Sequence, residues 1–361
     1  MKGYTVDFFL GANSEHGFVS HFDQLQDPWG GMTTYLIKGG PGTGKSTVMK
    51  GLAARFADGE ERVERIHCSS DPDSLDGVIL HGRRAQVVDA TPPHALEPKL
   101  PGAGEWIVSL YGAFDREALA RDRLEMAQVS AVAAGFHRRF CELLRCANLL
   151  LDGNAALLRR GVEEEKLERT ARSLIRRELG RGGAQPGGGK LHCRMLSAFT
   201  PQGLVTYEDT VNTLCKKVYM IDDEYYVCCD ALLRRIGEAA AAQGYDGYLC
   251  YSPFHPDSRV EHLLIPALSL GFVTRSRWAP LAGVRPVRVI HAARFYGRDL
   301  WREHRQRLNF CRRTAGLILA EGGEALRRAK ETHDLLEGFY RERVDFAAVE
   351  RAARELAARI G

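Results

Sequence analysis

The sequence predicts an α/β fold made of two tandem domains, each with a mainly parallel sheet covered by helices. Two observations carry this prediction. The chain repeats itself at a nearly constant spacing, and within each repeat apolar segments of strand length alternate with helical segments. Its 361 residues are enough for two ordinary domains that each bury a core.

The repeat appears when the sequence is slid along itself by about 182 to 186 residues. Three stretches of the first copy match three of the second in the same order: 12–23 with 198–209, 71–80 with 255–264, and 168–177 with 350–359. The glycines of the stretch 181–190 are typical of a flexible connector. We therefore predict a first domain at 1–180, a linker at 181–190 and a second domain at 191–361.

Both copies show the same order of elements. In the first copy we predict a short β segment at 17–22, a strand at 33–39, a helix at 46–57 and strands at 65–70, 85–90 and 105–110. The corresponding segments of the second copy are 203–208, 217–222, the helix 229–242, 248–252, 270–274 and 287–292. Long helical sections follow at 115–179 and 297–360, and their length predicts a helical hairpin or lobe on each sheet domain.

Composition narrows the function classes. The nine cysteines show no CxxC pair and no zinc-ligand spacing, so we expect reduced, mostly buried thiols. A net charge of +4 is too even to indicate nucleic-acid binding by itself. No apolar run approaches the roughly 18 to 20 residues that a membrane span needs, and the first residues lack the order of a signal peptide. We therefore expect a cytoplasmic protein without a membrane partner.

One short motif carries recognisable chemistry. The stretch GGPGTGKST has Gly39, then four residues, then Gly44, Lys45 and Ser46, which is the G-x-x-x-x-G-K-[ST] pattern. It lies between an apolar strand and a helix, so its backbone N–H groups would point at phosphate oxygens. Lys45 would supply positive charge and Ser46 would bind Mg²⁺. A glycine-rich turn that happens to carry a lysine is the alternative interpretation. The predicted nucleotide-binding residues are Gly39, Gly40, Pro41, Gly42, Thr43, Gly44, Lys45, Ser46 and Thr47.

Through these residues the chain resembles the P-loop NTPase superfamily, which implies binding of ATP or GTP with Mg²⁺. The tandem layout, with GFVSHFD ahead of the motif and VVDATPPHALEPKLPGA after it, also resembles a poorly characterised bacterial family of duplicated P-loop ATPases. ATP is favoured by this resemblance. GTP stays open, although no Asn/Thr-Lys-x-Asp element that would read guanine is evident.

The end of the third predicted strand and the segment that follows it contain two candidates for catalysis, Asp89 and His94. Asp89 ends the apolar segment AQVVD, where a carboxylate would hold Mg²⁺ through its water shell, or would merely cap a turn. His94 could reach a γ-phosphate or an acceptor group, or could be an ordinary loop histidine. Ala90 stands where many motor ATPases have a glutamate, which argues against a fast motor. Asp71 and Asp73 follow the second predicted strand, at the edge where ligands of such sheets collect, but Asp73 and Ser74 also resemble the N-cap of a following helix.

The second copy has lost the motif as a set. Opposite Gly39, Gly40, Gly44, Lys45 and Ser46 stand Asp223, Glu224, Cys228, Cys229 and Asp230, and Thr274 stands opposite Asp89. Replacing a lysine by cysteine and adding acids turns attraction for phosphate into repulsion. We therefore predict a pseudo-NTPase domain. A cation site made of Asp222, Asp223, Glu224 and Asp230 is the alternative to ordinary solvated acids.

Three functions compete at this stage. The first is an ATP-hydrolysing switch with an unknown protein partner. The second is a small-molecule or nucleotide kinase, in which Arg83 and Arg84 could neutralise the transferred phosphate unless they are solvated arginines at a helix end. The third is a nucleic-acid-binding module that uses the basic run 294–313, which is otherwise a solvated helical face with Trp301 and Phe310 turned inward.

Overall fold

The computed structural model describes residues 3–27, 30–57, 61–180 and 188–361, without the side chain of Arg298. Most of the predicted linker, 181–187, lies outside the described residues. We call residues up to 180 the first half and residues from 188 onwards the second half. Among the residues that the structure describes, no helix combines the length and apolar character needed to cross a membrane.

The structure is α/β with two six-stranded mixed sheets, one in each half. The first-half elements are β1 (Tyr4–Phe9), β2 (Gly11–Ser14), β3 (Gly17–Ser20), β4 (Thr33–Lys38), α1 (Lys45–Ala57), β5 (Arg62–His67), β6 (Leu75–Leu80), β7 (Ala85–Asp89) and β8 (Glu105–Ser109). Its sheet has the order β1-β5-β6-β7-β4-β8. Three of the five neighbouring pairs are parallel, and β6 runs antiparallel to both of its neighbours.

The second half repeats this topology. Numbering of the first-half helices continues with α2 (Arg116–Arg121), α3 (Arg123–Arg159) and α4 (Glu164–Glu178). The second-half sheet elements are β9 (Leu191–Arg194), β10 (Ser197–Thr200), β11 (Gly203–Thr206), α5 (Glu208–Leu214), β12 (Lys217–Asp222), α6 (Cys229–Ala242), β13 (Gly247–Ser252), β14 (His255–Ile265), β15 (Leu270–Arg275) and β16 (Arg288–His291). The order β9-β13-β14-β15-β12-β16 matches the first sheet strand for strand.

The strand β6 corrects one expectation. Asp73 and Ser74 were expected to cap a helix, but they lie in the turn between β5 and β6, where Asp71 accepts hydrogen bonds from the Ser74 hydroxyl (3.0 Å) and from the Asp73 N–H (3.3 Å). All six residues of β6 are buried. A strand covered on both faces has no polar alternation, so its sequence does not distinguish it from a buried helix segment.

The helical sections keep the spacing of the repeat. The remaining helices are α7 (Ala293–Tyr296), α8 (Arg298–Glu303), α9 (Arg305–Arg341) and α10 (Phe346–Ile360). The helices α3 and α9 have 37 residues each, and α4 and α10 have 15 each. Both pairs are displaced by 182 residues (305 − 123 and 346 − 164). The two 37-residue helices pack against each other over a long contact.

The last helix of each half, α4 or α10, packs on the sheet domain of the other half, an arrangement that we call the exchange. On α4, Leu167, Ala171 and Leu174 are buried in one core cluster with Leu232 and Ile236 of α6. On α10, Val349, Leu356, Ala357 and Ile360 are buried with residues of β4, α1 and β6. Each amphipathic helix therefore covers its apolar stripe on the sheet domain of the other half, rather than on its own.

Equivalent backbone hydrogen bonds fix this exchange at both ends. The Asp345 N–H donates to the Ala113 carbonyl (2.8 Å), and the Glu163 N–H donates to the Phe295 carbonyl (2.8 Å). The residues of these two bonds are related by the same displacement of 182 (345 − 163 and 295 − 113). The halves also meet at their centre, where Phe9 and Met195 exchange two backbone hydrogen bonds of 2.8 and 3.0 Å.

A buried charge network holds the two sheets together. The carboxylate of Glu64 on β5 is fully buried and accepts hydrogen bonds from Arg194 of β9 at 3.1 and 2.9 Å. Arg62, His81 and Tyr248 contact the same carboxylate. The surrounding cations hold the pKa of Glu64 well below its usual range, against the effect of burial. Removing one partner of such a buried pair would leave the other charge buried and uncompensated, so Glu64 and Arg194 depend on each other across the two sheets.

Candidate functional site

The glycine-rich stretch Gly39–Ser46, which we call the first loop, joins the end of β4 to the start of α1. Gly42 and Gly44 adopt positive φ values of 66° and 86°, which only glycine adopts at little cost. The Lys45 ammonium group donates to the carbonyls of Gly39 and Gly40, both at 2.8 Å. It also lies 3.5 Å from the Asp89 carboxylate. The lysine therefore lies across the mouth of the loop, at the carboxyl end of β7.

Three consecutive backbone amides lie where the first loop meets the start of α1. In the described part of the chain, no atom accepts a hydrogen bond from the N–H groups of Thr43, Gly44 or Lys45. The next intrahelical bond begins at Val48, whose N–H donates to Gly44 at 2.9 Å. Converging N–H groups at the start of a helix bind anions through their dipoles. This arrangement has the donors for phosphate.

The equivalent stretch of the second half, Asp223–Asp230, is called the second loop. Its three matching amides, of Val227, Cys228 and Cys229, all donate to the carboxylate of Asp223, at 3.1, 2.7 and 3.0 Å. Asp223 is fully buried. Burial raises the pKa of Asp223, and the amide hydrogen bonds act in the opposite direction. The second loop thus carries its own carboxylate where the first loop offers unbound donors.

The residue after each lysine position is held in the same way. Ser46 accepts a hydrogen bond from the N–H of Leu75 at 2.9 Å, and Asp230 accepts one from the N–H of Val260 at 2.8 Å. These contacts tie the first turn of each helix to the start of the neighbouring strand. Ser46 therefore lies beside β6, with its second lone pair left for another partner.

Three buried side chains form a cluster next to the first loop. Ligand atoms of Asp76, Asp89 and His94 lie within 4.8 Å of one another. His94 Nε2 lies 3.3 Å from Asp76, and His94 Nδ1 lies 2.8 Å from the Thr91 carbonyl, so Nδ1 carries the proton. Burial lowers the pKa of His94. Burial, together with the nearby Asp89 charge, raises the pKa of Asp76 to about 8. The cluster therefore combines a neutral imidazole with two coupled carboxyl groups.

Asp76 is the site residue that sequence reasoning missed. It lies on β6, and its counterpart on β14 is Glu261, because Leu75 and Val260 make equivalent bonds one residue earlier. One extra residue, Arg259, shifts the two segments out of register after the shared Pro-Asp-Ser. Aligning the segments with this insertion would have shown an acid in both halves.

Two predicted arginines lie away from the first loop, whereas Thr47 lies next to it. Arg83 and Arg84 lie in the turn between β6 and β7, at the opposite end of β7 from Asp89, so they do not belong to this site. Thr47 is exposed on the first turn of α1.

The four acids Asp222, Asp223, Glu224 and Asp230 do not form a joint cation site. Asp222 pairs with Arg275 and His291. Glu224 pairs with Arg312 at 3.1 Å, and Asp230 pairs with Arg234 at 2.9 Å. With Asp223 bound to its amides, each acid has its own partner. The two hypotheses for these acids, a joint cation site and simple solvation, are therefore both replaced by local pairing.

The basic run 294–313 is partly engaged within the chain. Arg312 pairs with Glu224, and Arg305 stacks on the ring of Trp301 at 5.6 Å. Trp301 packs against the core as expected. Phe310 does not, since 58% of its side chain is exposed. Nothing in this geometry favours a nucleic-acid groove over a solvated helical face.

The end of α9 lies on the first loop. A Cβ atom placed on Gly40 would lie 2.8 Å from the Tyr340 ring, and one on Gly42 would lie 2.9 Å from the Glu337 carbonyl and from Arg341 Cγ. These two glycines therefore permit a close approach of the second half. Arg341 is exposed, and no described residue pairs with its guanidinium group. The site is assembled from both halves of the chain.

Comparison with protein-family models, with curated proteins and with solved structures finds no match to this chain. The class of site is therefore argued from its geometry alone: a loop with an anion-binding shape, a lysine at its mouth and a buried pair of carboxyl groups beside it.

Proposed function

We propose that the protein is a Mg²⁺-dependent ATPase that works as a nucleotide-controlled switch, with one nucleotide site at the first loop. The observation that supports it most strongly is the set of three amides, of Thr43, Gly44 and Lys45. They have no acceptor in the described part of the chain, whereas their counterparts donate to a carboxylate. A β-phosphate in the first loop would occupy the position that Asp223 occupies in the second. Lys45 would leave the loop carbonyls and bind phosphate oxygens.

The donor set beside the loop fits Mg²⁺. Mg²⁺ prefers oxygen ligands, and the Ser46 hydroxyl and the Asp89 carboxylate are oxygen donors near the mouth of the loop. When bound, the ion would neutralise charge on the phosphates. Ser46 would bind the ion directly, and Asp89 would orient water molecules around it. Asp89 already receives the N–H (3.0 Å) and hydroxyl (2.5 Å) of Thr91, which fix its orientation.

Asp76 and His94 are proposed to hold a proton beside the terminal phosphate. The Nδ1–H of His94 donates to the Thr91 carbonyl at 2.8 Å, so Nε2 carries a lone pair and lies 3.3 Å from the Asp76 carboxyl. Burial and the nearby Asp89 charge raise the pKa of Asp76 to about 8, so at neutral pH this carboxyl is protonated and can donate to Nε2. The pair would therefore act as a proton donor, rather than as the base that accepts a proton from water.

The switch follows from the contact between the first loop and α9. Nucleotide binding would pull Lys45 away from Gly39 and Gly40, and Gly40 packs directly on Tyr340. A rearrangement of the loop would therefore be transmitted to α9, whose length of 37 residues extends it along α3. The output would be a change in the position of the helical pair relative to the sheets.

The test is calorimetric titration with Mg-ATP and Mg-GTP, with phosphate release followed on the same samples. Wild type should bind one nucleotide per chain. Lys45→Ala should weaken binding about 10³-fold, because a charge pair at 4 Å contributes about 4 kcal/mol at an effective dielectric of 20. Cys229→Ala, the matched control in the second loop, should change nothing. Two sites per chain, or binding that survives Lys45→Ala, would overturn the proposal.

The switch itself has a separate readout. Limited proteolysis and small-angle scattering of wild type should differ between ATP and ADP. Identical profiles in the two nucleotides would leave nucleotide binding in place and remove the switch.

A further inference from the structure

A groove lies beside the first loop on the side away from Asp89. Its volume is about 790 Å³, and it is lined by Tyr111, Phe114, Arg116, Arg123 and Met126 of the first half and by Tyr340 of the second. The first-half residues follow β8 in the chain. Tyr340 is also the residue that contacts Gly40, so the groove begins at the loop itself.

The order of strands gives the groove a direction. β4, which carries the first loop, has β7 on one side and β8 on the other. The cluster of Asp76, Asp89 and His94 belongs to the β7 side, so the terminal phosphate and its cation would lie there. If the loop amides held the triphosphate of a nucleotide, its ribose and base would then extend toward β8. The groove is the space that this end would enter.

The aromatic and basic residues that line the groove suit a planar base that is joined to phosphates. The rings of Phe114 and Tyr340 lie 5.5 Å apart, and those of Tyr111 and Phe114 lie 6.0 Å apart. Burial and the nearby Tyr111 raise the pKa of Tyr340, so its phenol is neutral. Arg116 and Arg123 are exposed and have no ion-pair partner among the described residues. Aromatic faces bind any base by stacking, and arginines add attraction for the phosphates.

Groups that could distinguish one base from another are scarce in the groove. Among the described residues, the polar side chains of its lining are two tyrosines, two arginines and Ser130, with no asparagine, glutamine, aspartate or glutamate. Strong discrimination between bases requires hydrogen-bonding groups matched to one base edge. We propose that this groove is the base-and-ribose subsite of the nucleotide bound at the first loop, and that it holds purine bases by stacking without distinguishing ATP from GTP. The assignment depends on the proposed nucleotide site.

The experiment compares ATP, GTP and inorganic tripolyphosphate, each with Mg²⁺, on wild type and variants. Wild type should bind ATP and GTP within about fivefold of each other. Tyr111→Ala, at a residue that is 50% exposed, should weaken both about tenfold, since stacking on one aromatic ring contributes on this order. It should leave tripolyphosphate unchanged, because that ligand has no base. Tyr340→Ala should weaken ATP and GTP more than tripolyphosphate, and because Tyr340 also packs on Gly40, its effect is measured relative to tripolyphosphate. Phe310→Ala is the matched control, an exposed aromatic residue on α9 away from the groove.

The outcomes separate the two proposals. If wild type binds neither ATP nor tripolyphosphate, the nucleotide site fails and the subsite fails with it. If both bind but the tyrosine variants lose all three ligands equally, or none, the subsite alone is overturned. A preference of wild type above thirtyfold between ATP and GTP would also overturn it.

Discussion

The first and second loops share a backbone and differ in what occupies it. Both join the fifth strand of a six-stranded sheet to a helix, and Ser46 and Asp230 connect these helices to β6 and β14, respectively. In the first loop Lys45 lies across the mouth, and three backbone amides have no acceptor among the described residues. In the second loop the equivalent three amides donate to the Asp223 carboxylate. The comparison shows that one loop backbone can be completed by a carboxylate of its own chain or can leave its amide donors unoccupied.

The tyrosines complete this replacement. Tyr226 adopts a φ of 52° at the position of Gly42, a conformation that costs a bulky residue energy. Its hydroxyl donates to Glu261 at 2.9 Å and lies 2.9 Å from the Ser276 hydroxyl, which repays that cost with buried hydrogen bonds. Tyr225 and Val227 are buried beside it. In the second loop its own side chains thus occupy the position that, in the first loop, glycine leaves to the close approach of α9.

The largest effect in this comparison should come from emptying the second loop. Asp223→Ala removes the acceptor of three buried amides, and the free energy of unfolding should fall by about 3 kcal/mol, because unsatisfied buried donors are costly. Urea denaturation followed by circular dichroism measures it. Exposed Asp257→Ala, on β14, serves as the control and should stay near wild type. An unchanged midpoint for Asp223→Ala would show that the carboxylate does not fill the loop.

A second test measures how Glu261, the buried acid of the second half, makes the free energy of unfolding depend on pH. Burial raises the pKa of Glu261 to about 7 from its ordinary 4.5. The folded state therefore binds this proton more tightly, so the stability contributed by Glu261 is complete below pH 4.5 and is lost as the pH rises to about 7. Glu261→Gln should remove a slope of up to about 1.4 kcal/mol per pH unit in that window.

Urea unfolding of Glu261→Gln at pH 5 and pH 7.5 measures this slope. Glu238→Gln, at an exposed residue of α6, should keep the wild-type dependence. A Glu261→Gln protein with the full wild-type slope would mean that Glu261 titrates normally.

The smallest effect concerns the arginines at the ends of the long helices. Arg341 lies over the first loop, and no described residue pairs with its guanidinium group. Arg159, one repeat earlier, lies near Cys228 of the second loop. Arg341→Ala should lower the rate of phosphate release about tenfold, about 1.4 kcal/mol, because a cation near the transferred phosphate stabilises its developing charge. Arg159→Ala should leave the rate unchanged. Equal effects of both substitutions would indicate a general change in helix packing instead.

The sequence predicted the parts of the structure that depend on neighbours in the chain. The strands β4, β7, β12 and β15 and the helix α1 lie within one or two residues of their predicted bounds, since each is marked by a local apolar run and a turn. The fully buried β6 lacked such a pattern. Lys45, Asp89 and His94 meet as the motif suggested, whereas Asp76 was concealed by the insertion at Arg259.

The sequence pattern did not predict that α4 and α10 each pack on the sheet of the other half. The length of each helical section indicated a hairpin, and the amphipathic pattern indicated a buried stripe, but both leave open which sheet receives that stripe. The answer depends on contacts between residues far apart in the chain, such as Val349 with the α1 region. The presence of Tyr340 at the first loop follows from the same long-range packing.

The exchange also sets an order of events during synthesis. The first sheet is complete once β8 has left the ribosome, but its covering helix α10 begins more than 200 residues later (346 − 109 = 237). At about 5–20 residues per second, translation leaves the apolar face around Met49 and Leu52 uncovered for roughly 10 to 50 s. This apolar face of the nascent first half therefore stays exposed until α10, the last helix of the second half, has been made.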